Sequence, residues 1–154
     1  MASETKIRQL ADADWSYVWA MMELVIRAGE TYPYARDMTD AGAHRMWLEI
    51  PQASYVAEDE SGQLLGTYYI KPNQQTLGAH VANCGYIVSE SARGRGIASR
   101  MCEHSQAEAV RLGYRAMQYN LVVKTNAASV YLWKKMDFRI VGTLPGACHH
   151  PVHG

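Results

Sequence analysis

The stretch CGYIVSESARGRGIASR, from Cys84 to Arg100, places a short apolar run ahead of a segment rich in glycine and arginine. The run CGYIV is typical of a buried strand, and the pattern from Gly96 to Gly113 is that of an amphipathic helix. The stretch therefore predicts a strand, a loop and a helix in succession. The first turn of such a helix carries unpaired backbone N–H groups and the positive end of the helix dipole.

The loop in this stretch has the chemistry of an anion-binding site. Gly94 and Gly96 lack side chains that would keep a phosphate away from the start of the helix. Arg93 and Arg95 add positive charge, and a guanidinium can hold a phosphate through two hydrogen bonds. We therefore predict that this loop binds phosphate groups.

Two common nucleotide-binding loops do not fit the sequence. A Walker-type phosphate loop requires a lysine followed by serine or threonine after its last glycine, and Ile97 and Ala98 stand there instead. The dinucleotide fingerprint requires a third glycine, and Ser99 occupies that position, late in the chain rather than in an opening βαβ unit. A strand–helix turn with exposed arginines remains the structural alternative.

The remaining periodicity predicts one mixed α/β domain over residues 1–154, with the element order βααβββαβαβ. The predicted strands are Ile7–Leu10, Ser54–Glu58, Leu64–Ile70, His80–Val88, Ala116–Val123 and Phe138–Val141. The predicted helices run from Asp12 or Asp14 to Gly29, from Thr39 to Leu48, from Gly96 to Gly113 and from Asn126 to Met136.

Bulk properties indicate a globular protein without a polyanionic partner. The chain has 15 basic and 15 acidic residues, so we expect no nucleic-acid partner, which would favour a basic surface. Three widely spaced cysteines predict reduced thiols rather than disulfides. No stretch is long and apolar enough to predict a membrane span, and no signal peptide is evident, so we expect a cytoplasmic location.

The sequence resembles the GCN5-related N-acetyltransferase superfamily. The superfamily signature Arg/Gln-x-x-Gly-x-Gly/Ala is matched by Arg93, Gly96 and Ala98 after a strand that ends at Val88, and NAASVYLWKKMDF resembles the helix that follows. The resemblance implies a mostly antiparallel central sheet with helices on both faces. It also implies a final strand after the tail ACHHPVHG, which the printed sequence does not contain.

By this resemblance the ligand is acetyl-coenzyme A, as a co-substrate. The resemblance assigns the pantetheine arm and acetyl carbonyl to the strand backbone, the pyrophosphate to the loop, and the reactive end of the coenzyme to the neighbourhood of the last helix. The residues so implied are Tyr86, Ile87 and Val88, then Arg93, Gly94, Arg95, Gly96, Ile97 and Ala98, and then Asn126 and Trp133. Asn126 has an equal interpretation as the N-cap of its helix, and Trp133 as a core residue.

The implied reaction is the direct attack of a neutral amine on the thioester, with backbone N–H groups stabilising the oxyanion. Many members of the superfamily protonate the departing thiolate with a tyrosine on the last helix, and Trp133 stands at that position here. Indole cannot supply a proton, but a thiol with a pKa of about 8.5 leaves tolerably as thiolate. The general base stays unassigned.

A closer resemblance links HVANCGYIV and QYNLVVKTNAAS to the azetidine-2-carboxylate (proline-analogue) N-acetyltransferase group. In that group, asparagines on the two central strands hold the substrate, and this implies catalytic roles for Asn83 and Asn120. Either asparagine could equally be a structural bridge between strands. Thr31, Tyr32 and Tyr34 lie in the loop that usually recognises the acceptor, with a solvated loop as the alternative.

These observations predict acetyl transfer to a small-molecule amine such as an amino acid or an analogue. A protein N-terminus or lysine as acceptor, and a non-catalytic acyl-CoA sensor, stay open as alternatives, as does a homodimer. The tail contains Cys148, His149, His150 and His153, which are capable of binding a metal, but nothing else shapes a catalytic centre, so we assign no metal.

Overall fold

The computed structural model describes residues 4–154, in which five strands form one sheet with helices on both faces. The strands are β1 (Lys6–Gln9), β2 (Ala53–Glu58), β3 (Leu64–Pro72), β4 (Val81–Val88) and β5 (Ala116–Met117). The helices are α1 (Trp15–Ala28), α2 (Asp40–His44), α3 (Ile97–Arg111) and α4 (Ala127–Lys135). A π-helical segment (Arg45–Glu49) extends α2.

The sheet has the order β1-β2-β3-β4-β5, and its first four strands are antiparallel neighbours. The fifth strand, β5, runs parallel to its neighbour β4, and the pair places Val81 opposite Ala116 and Ala82 opposite Met117. The arrangement confirms the predicted mixed α/β class and the mostly antiparallel sheet.

Short-range signals set the helix ends. Gly29 adopts a left-handed φ of 69° and its N–H bonds to the Val25 carbonyl, which ends α1. The Thr39 hydroxyl accepts a hydrogen bond from the Gly42 N–H and so caps α2. Gly96 precedes α3 and Gly113 follows it. Each of these boundaries agrees with the sequence prediction.

Two apolar layers bury the sheet. One face packs against α1 and α2 through the fully buried side chains of Val18, Met22, Ile26 and Trp47. The opposite face packs against α3 through Ile97, Met101 and Ala109. Helices therefore cover both faces of the sheet, as predicted.

Two strand predictions are wrong in extent. The strand predicted at 116–123 pairs over Ala116–Met117 alone, and no strand forms at 138–141, where Ile140 is 58% and Val141 85% exposed. The Gln118 N–H still donates a hydrogen bond to the Ala82 carbonyl, but the Gln118 carbonyl accepts its hydrogen bond from the side-chain amide of Asn83. Because a side chain takes the place of the next backbone bond, β5 separates from β4 beyond this point.

Candidate active site

The separation of β4 and β5 leaves backbone groups of β4 without a strand partner. At Tyr86 these groups contact a side chain from the loop between α1 and α2. The Tyr86 N–H donates to the Tyr32 hydroxyl at 2.7 Å, and that hydroxyl donates to the Tyr86 carbonyl at 2.6 Å. Both peptide groups of Tyr86 therefore point into the gap, away from β3.

The backbone N–H groups of Tyr86, Ile87 and Val88, the three residues of β4 predicted to bind the coenzyme, do not all face the same neighbour. Ile87 lies opposite Thr67 in the antiparallel β3–β4 pair, and because the direction of backbone groups alternates along a strand, its N–H faces β3. The same alternation turns the backbone of Val88 toward the gap. Tyr86 and Val88, rather than Ile87, thus have the N–H groups suited to bind a carbonyl there. Their role with the coenzyme stays a prediction.

The glycine–arginine loop leads from this strand to α3. Gly94 and Gly96 adopt φ values of 75° and 77°, and no side chain caps the first turn of the helix. Arg93 and Arg95 are exposed, and neither forms an ion pair with any residue between 4 and 154. The loop therefore offers open N–H groups and two available guanidinium groups to an anion.

Ile97 and Ala98 follow the glycine–arginine loop as the first two residues of α3. The Ile97 side chain is 2% exposed and packs into the α3 face of the core, and Ala98 is half-buried. The Ile97 side chain therefore fixes the start of α3 against the core. The contact of Ile97 and Ala98 with the coenzyme stays a prediction.

The two asparagines occupy different environments. Asn83 is 9% exposed; its amide donates to the Gln118 carbonyl at 2.9 Å, and its oxygen accepts from the Tyr69 hydroxyl at 3.3 Å. Asn120 is exposed and donates to the side-chain oxygen of Asn73 at 2.7 Å. Asn83 thus makes the bridge between separating strands that the sequence left as an alternative. No hydrogen bond joins the two asparagines, and their catalytic roles stay predictions.

A cleft of about 380 Å³ lies beside the Tyr32 loop. Its polar lining comes from the α1–α2 loop, the start of α4 and the C-terminal tail: Glu30, Thr31, Thr125, Asn126, His150 and His153. The hydroxyl oxygen of Thr31 is fully buried and has no hydrogen-bond partner among the described residues. A buried hydroxyl without a partner costs roughly 1–3 kcal/mol.

Tyr32 and Tyr34 stack in this loop, with ring centroids 4.9 Å apart and planes 7° from parallel. Burial raises the pKa of both hydroxyl groups above the usual range of tyrosine. Tyr32 therefore stays a neutral hydroxyl, which can donate and accept at the same time, as it does at Tyr86.

At the start of α4, Asn126 accepts a hydrogen bond from the Ser129 N–H at 3.2 Å, so it is an N-cap, and it also lines the cleft. Trp133 packs against Tyr86 and Tyr119, at centroid distances of 5.1 and 4.6 Å. Its ring belongs to the edge of the core on the α3 side. The structure thus shows the N-cap role of Asn126 and the core packing of Trp133. Contact of either residue with the coenzyme stays a prediction.

Sequence reasoning did not place His150 at the cleft. Its side chain is 8% exposed, and its Nδ1 accepts the backbone N–H groups of Val152 and His153 at 3.1 and 3.2 Å. Since backbone N–H groups only donate, the neutral ring carries its proton on Nε2. Among the described residues, no three His, Cys, Asp or Glu side chains gather closely enough to hold a metal ion. In the sequence, the clustered histidines indicate a possible metal site, and they do not predict the turn in which His150 is buried.

The buried thiols do not have the properties of nucleophiles. Burial raises the pKa of Cys84 to about 12 and that of Cys102 to about 11, so both are protonated near neutral pH. A covalent acyl–cysteine intermediate at either of these two positions is therefore disfavoured. No helix among the described residues reaches the length and apolarity that crossing a membrane requires.

A larger depression of about 650 Å³ lies at the turn between β2 and β3, lined by Glu4, Lys6 and residues 58–62. It is far more acidic than the Arg93–Ala98 loop, and it contains no backbone opened by strand separation. We therefore take the β4–β5 gap and the 380 Å³ cleft as the candidate site.

A β-strand opened at one edge, followed by an uncapped helix N-terminus, is suited to a ligand that carries both a carbonyl and phosphate groups. Residues 10–138 match the acetyltransferase (GNAT) family. The chain therefore belongs to that family, and this makes it an acetyltransferase by class. The family assignment agrees with the resemblance seen in the sequence.

Similar proteins support the same family. A GCN5-related N-acetyltransferase from Kribbella flavida has a TM-score of 0.93 and 40% identity, over 97% of this chain and 91% of that chain. The N-acetyltransferase aca1 of Schizosaccharomyces pombe is 30% identical over 137 residues, which cover 79% of this chain. The chain spans 66% of the length of aca1. The protein yncA of Salmonella typhimurium, solved with its cofactor acetyl-CoA, has a TM-score of 0.83 over 96% of this chain and 86% of that chain, at 18% identity, and thus shares the fold.

Proposed function

We propose that this protein transfers the acetyl group of acetyl-CoA to the amine of a small molecule, an amino acid or an analogue of one. The observation that carries the proposal is the pairing of an opened β4 backbone at Tyr86 with a small polar cleft on the side of the Tyr32 loop. The first suits a donor thioester, and the second suits an acceptor.

On the donor side, the chain would hold acetyl-CoA mainly through backbone groups. The Tyr86 N–H, turned into the gap, would donate to the thioester carbonyl and stabilise the negative charge that develops on it. The open turn at Arg93–Gly96 would take the pyrophosphate. The two sites lie on one continuous strand–loop–helix segment, so the coenzyme would be held along β4.

On the acceptor side, the cleft volume lies in the lower part of the range typical of small-ligand pockets. The carboxylate of Glu30 and the Nε2–H of His150 would offer hydrogen bonds of both senses. The buried Thr31 hydroxyl would join them once a movement of the Tyr32 loop opens it to the cleft. An acceptor with one amine and one carboxylate or carbonyl suits this lining. A neutral amine would form the new C–N bond as the C–S bond breaks, and its proton would pass to water.

Acetyl transfer to a protein N-terminus or lysine, and acyl-CoA sensing without turnover, are the alternatives. Trp133 in place of the acid tyrosine favours the sensor, although a thiolate can leave without that acid.

The acceptor class is tested by measuring release of the coenzyme A thiol from acetyl-CoA with proline analogues, amino acids, polyamines, and lysine or N-terminal peptides. We expect a higher kcat/KM for at least one amino acid or analogue than for any peptide. Efficient turnover of peptides alone would contradict a small-molecule acceptor. Coenzyme binding without turnover of any amine would favour the sensor.

The variant Thr31→Val ties the acceptor to the cleft. It keeps the side-chain shape but removes the buried hydroxyl, so we expect unchanged or higher thermal stability, because an unpartnered group is lost. The KM for the preferred amine should rise about tenfold while acetyl-CoA binding is unchanged. Thr39→Val serves as the matched control, because Thr39 caps α2 outside the cleft and should lower stability without affecting KM.

A further inference from the structure

The contact between Tyr32 and Tyr86 joins the acceptor loop to the donor strand. Tyr32 lies in the α1–α2 loop, 54 residues before Tyr86 in the sequence, and its hydroxyl bonds to both the N–H and the carbonyl of Tyr86. Its neighbour Thr31 lines the cleft. One short segment therefore touches both the place proposed for the thioester and the place proposed for the acceptor.

We propose that the Tyr32 hydroxyl occupies the position of the acetyl carbonyl in the free protein, and that acetyl-CoA must displace it in order to bind. Tyr32 is thus a positioning residue that couples donor binding to the conformation of the acceptor loop. The inference rests on the proposed function, because it takes the Tyr86 N–H as the group that binds the thioester.

A hydroxyl is a suitable stand-in for the carbonyl. The Tyr32 oxygen lies 2.7 Å from the Tyr86 nitrogen, at the distance and in the accepting role expected of a carbonyl oxygen. One N–H cannot make two short, linear hydrogen bonds, so the hydroxyl and the thioester compete. The bond from the hydroxyl to the Tyr86 carbonyl is also lost on displacement, which adds to the cost of binding the thioester.

Because the Tyr32 hydroxyl and the thioester carbonyl compete for the Tyr86 N–H, Tyr32 responds to the acetyl group rather than to the rest of the coenzyme. Coenzyme A without an acetyl group has no thioester carbonyl to bind the Tyr86 N–H, so it can leave Tyr32 in place. Acetyl-CoA cannot, and the displaced Tyr32 would move together with Thr31 at the edge of the cleft. The acceptor loop would therefore differ between the coenzyme A and acetyl-CoA complexes.

The test compares Tyr32→Phe with the unaltered protein by calorimetric titration of acetyl-CoA and of coenzyme A. Phenylalanine keeps the stack on Tyr34 but removes the competing hydroxyl. We expect acetyl-CoA to bind about fivefold more tightly to the variant, equivalent to one net hydrogen bond, and coenzyme A to bind with unchanged affinity. Tyr34→Phe is the matched control, because the Tyr34 hydroxyl makes no hydrogen bond to β4 among the described residues, and both affinities should be unchanged.

An unchanged ratio of the two affinities in Tyr32→Phe would overturn the inference and leave the proposed function standing. Weaker acetyl-CoA binding in the variant would also overturn it, since the hydroxyl would then stabilise the bound acetyl group. If neither ligand binds to the unaltered protein, the proposed function fails, and this inference fails with it. Thermal unfolding of each variant verifies that it is folded.

Discussion

At the scale of single residues, Gly96 has the backbone conformation that the proposed donor site requires. Its φ of 77° is rarely adopted by residues with a side chain, and a Cβ there would point into open space, where the proposed pyrophosphate has to approach the first turn of α3. Arg93 and Arg95 flank the same turn. The glycine thus gives both the backbone conformation and the access.

Gly96→Asp should therefore weaken acetyl-CoA binding, by at least about tenfold, because it places a negative charge against the phosphates and strains the turn. The measurement is the dissociation constant by calorimetry. Gly113→Asp is the matched control, since Gly113 also has a positive φ in open space but lies beyond the other end of α3. Equal affinities for Gly96→Asp and the unaltered protein would mean that the pyrophosphate binds elsewhere.

At this scale the sequence predicts local chemistry well and long-range contacts poorly. The glycine-rich, uncapped start of α3 follows from the residues themselves, and so does the N-cap at Asn126. The bond from Tyr32 to Tyr86 and the burial of His150 depend on chain segments that meet in the folded protein, and no periodicity encodes them. The position of Thr31 in its loop predicts contact with the acceptor, but only the structure shows that its hydroxyl has no hydrogen-bond partner among the described residues.

At the scale of elements, α3 holds a histidine whose protonation is linked to stability. His104 is partly buried, and its Nδ1 lies 2.7 Å from the Tyr68 hydroxyl. Burial lowers its pKa, although Glu108 on the same helix opposes the shift, and Tyr55 and Tyr68 face the ring from β2 and β3. The unfolded chain, with an ordinary histidine pKa of about 6.5, binds the proton more readily than the folded protein.

It follows that stability rises with pH between the folded and unfolded pKa values of His104, and falls as the pH drops below about 6.5. His104→Gln keeps an acceptor for Tyr68 but cannot titrate. We expect the loss of thermal midpoint between about pH 7.5 and about pH 5.5 to be smaller in this variant. The exposed His149→Gln is the control, and an identical pH dependence for His104→Gln and the unaltered protein would contradict the assignment.

The success of the element predictions depended on whether an element needs a distant partner. α1 and α2 end and begin as predicted, because Gly29 and Thr39 act on their own turns. The strand predicted at 116–123 fails beyond Met117, because pairing depends on β4, where Asn83 takes the Gln118 carbonyl. Residues 138–141 have the composition of a strand, but no neighbouring strand pairs with them among the described residues.

At the scale of the whole molecule, the site lies where the two helical layers meet the opened edge of the sheet. The α1–α2 layer contributes the Tyr32 loop, the α3 layer contributes the Arg93–Gly96 turn of the proposed site, and β4 runs between them. The mixed α/β class was predictable because the alternation of strand and helix patterns is encoded along the chain. The meeting of the two layers at one strand is a property of the folded molecule.

The most direct test of the account follows both products of the reaction in one experiment. The protein is incubated with acetyl-CoA and its preferred amine, and the released thiol and the N-acetylated amine are quantified together. The account predicts that the two appear in equal amounts, that both depend on the amine, and that both fall in Gly96→Asp at limiting acetyl-CoA. Thiol release that is independent of the amine, or the absence of an acetylated amine with every acceptor despite bound acetyl-CoA, would contradict it.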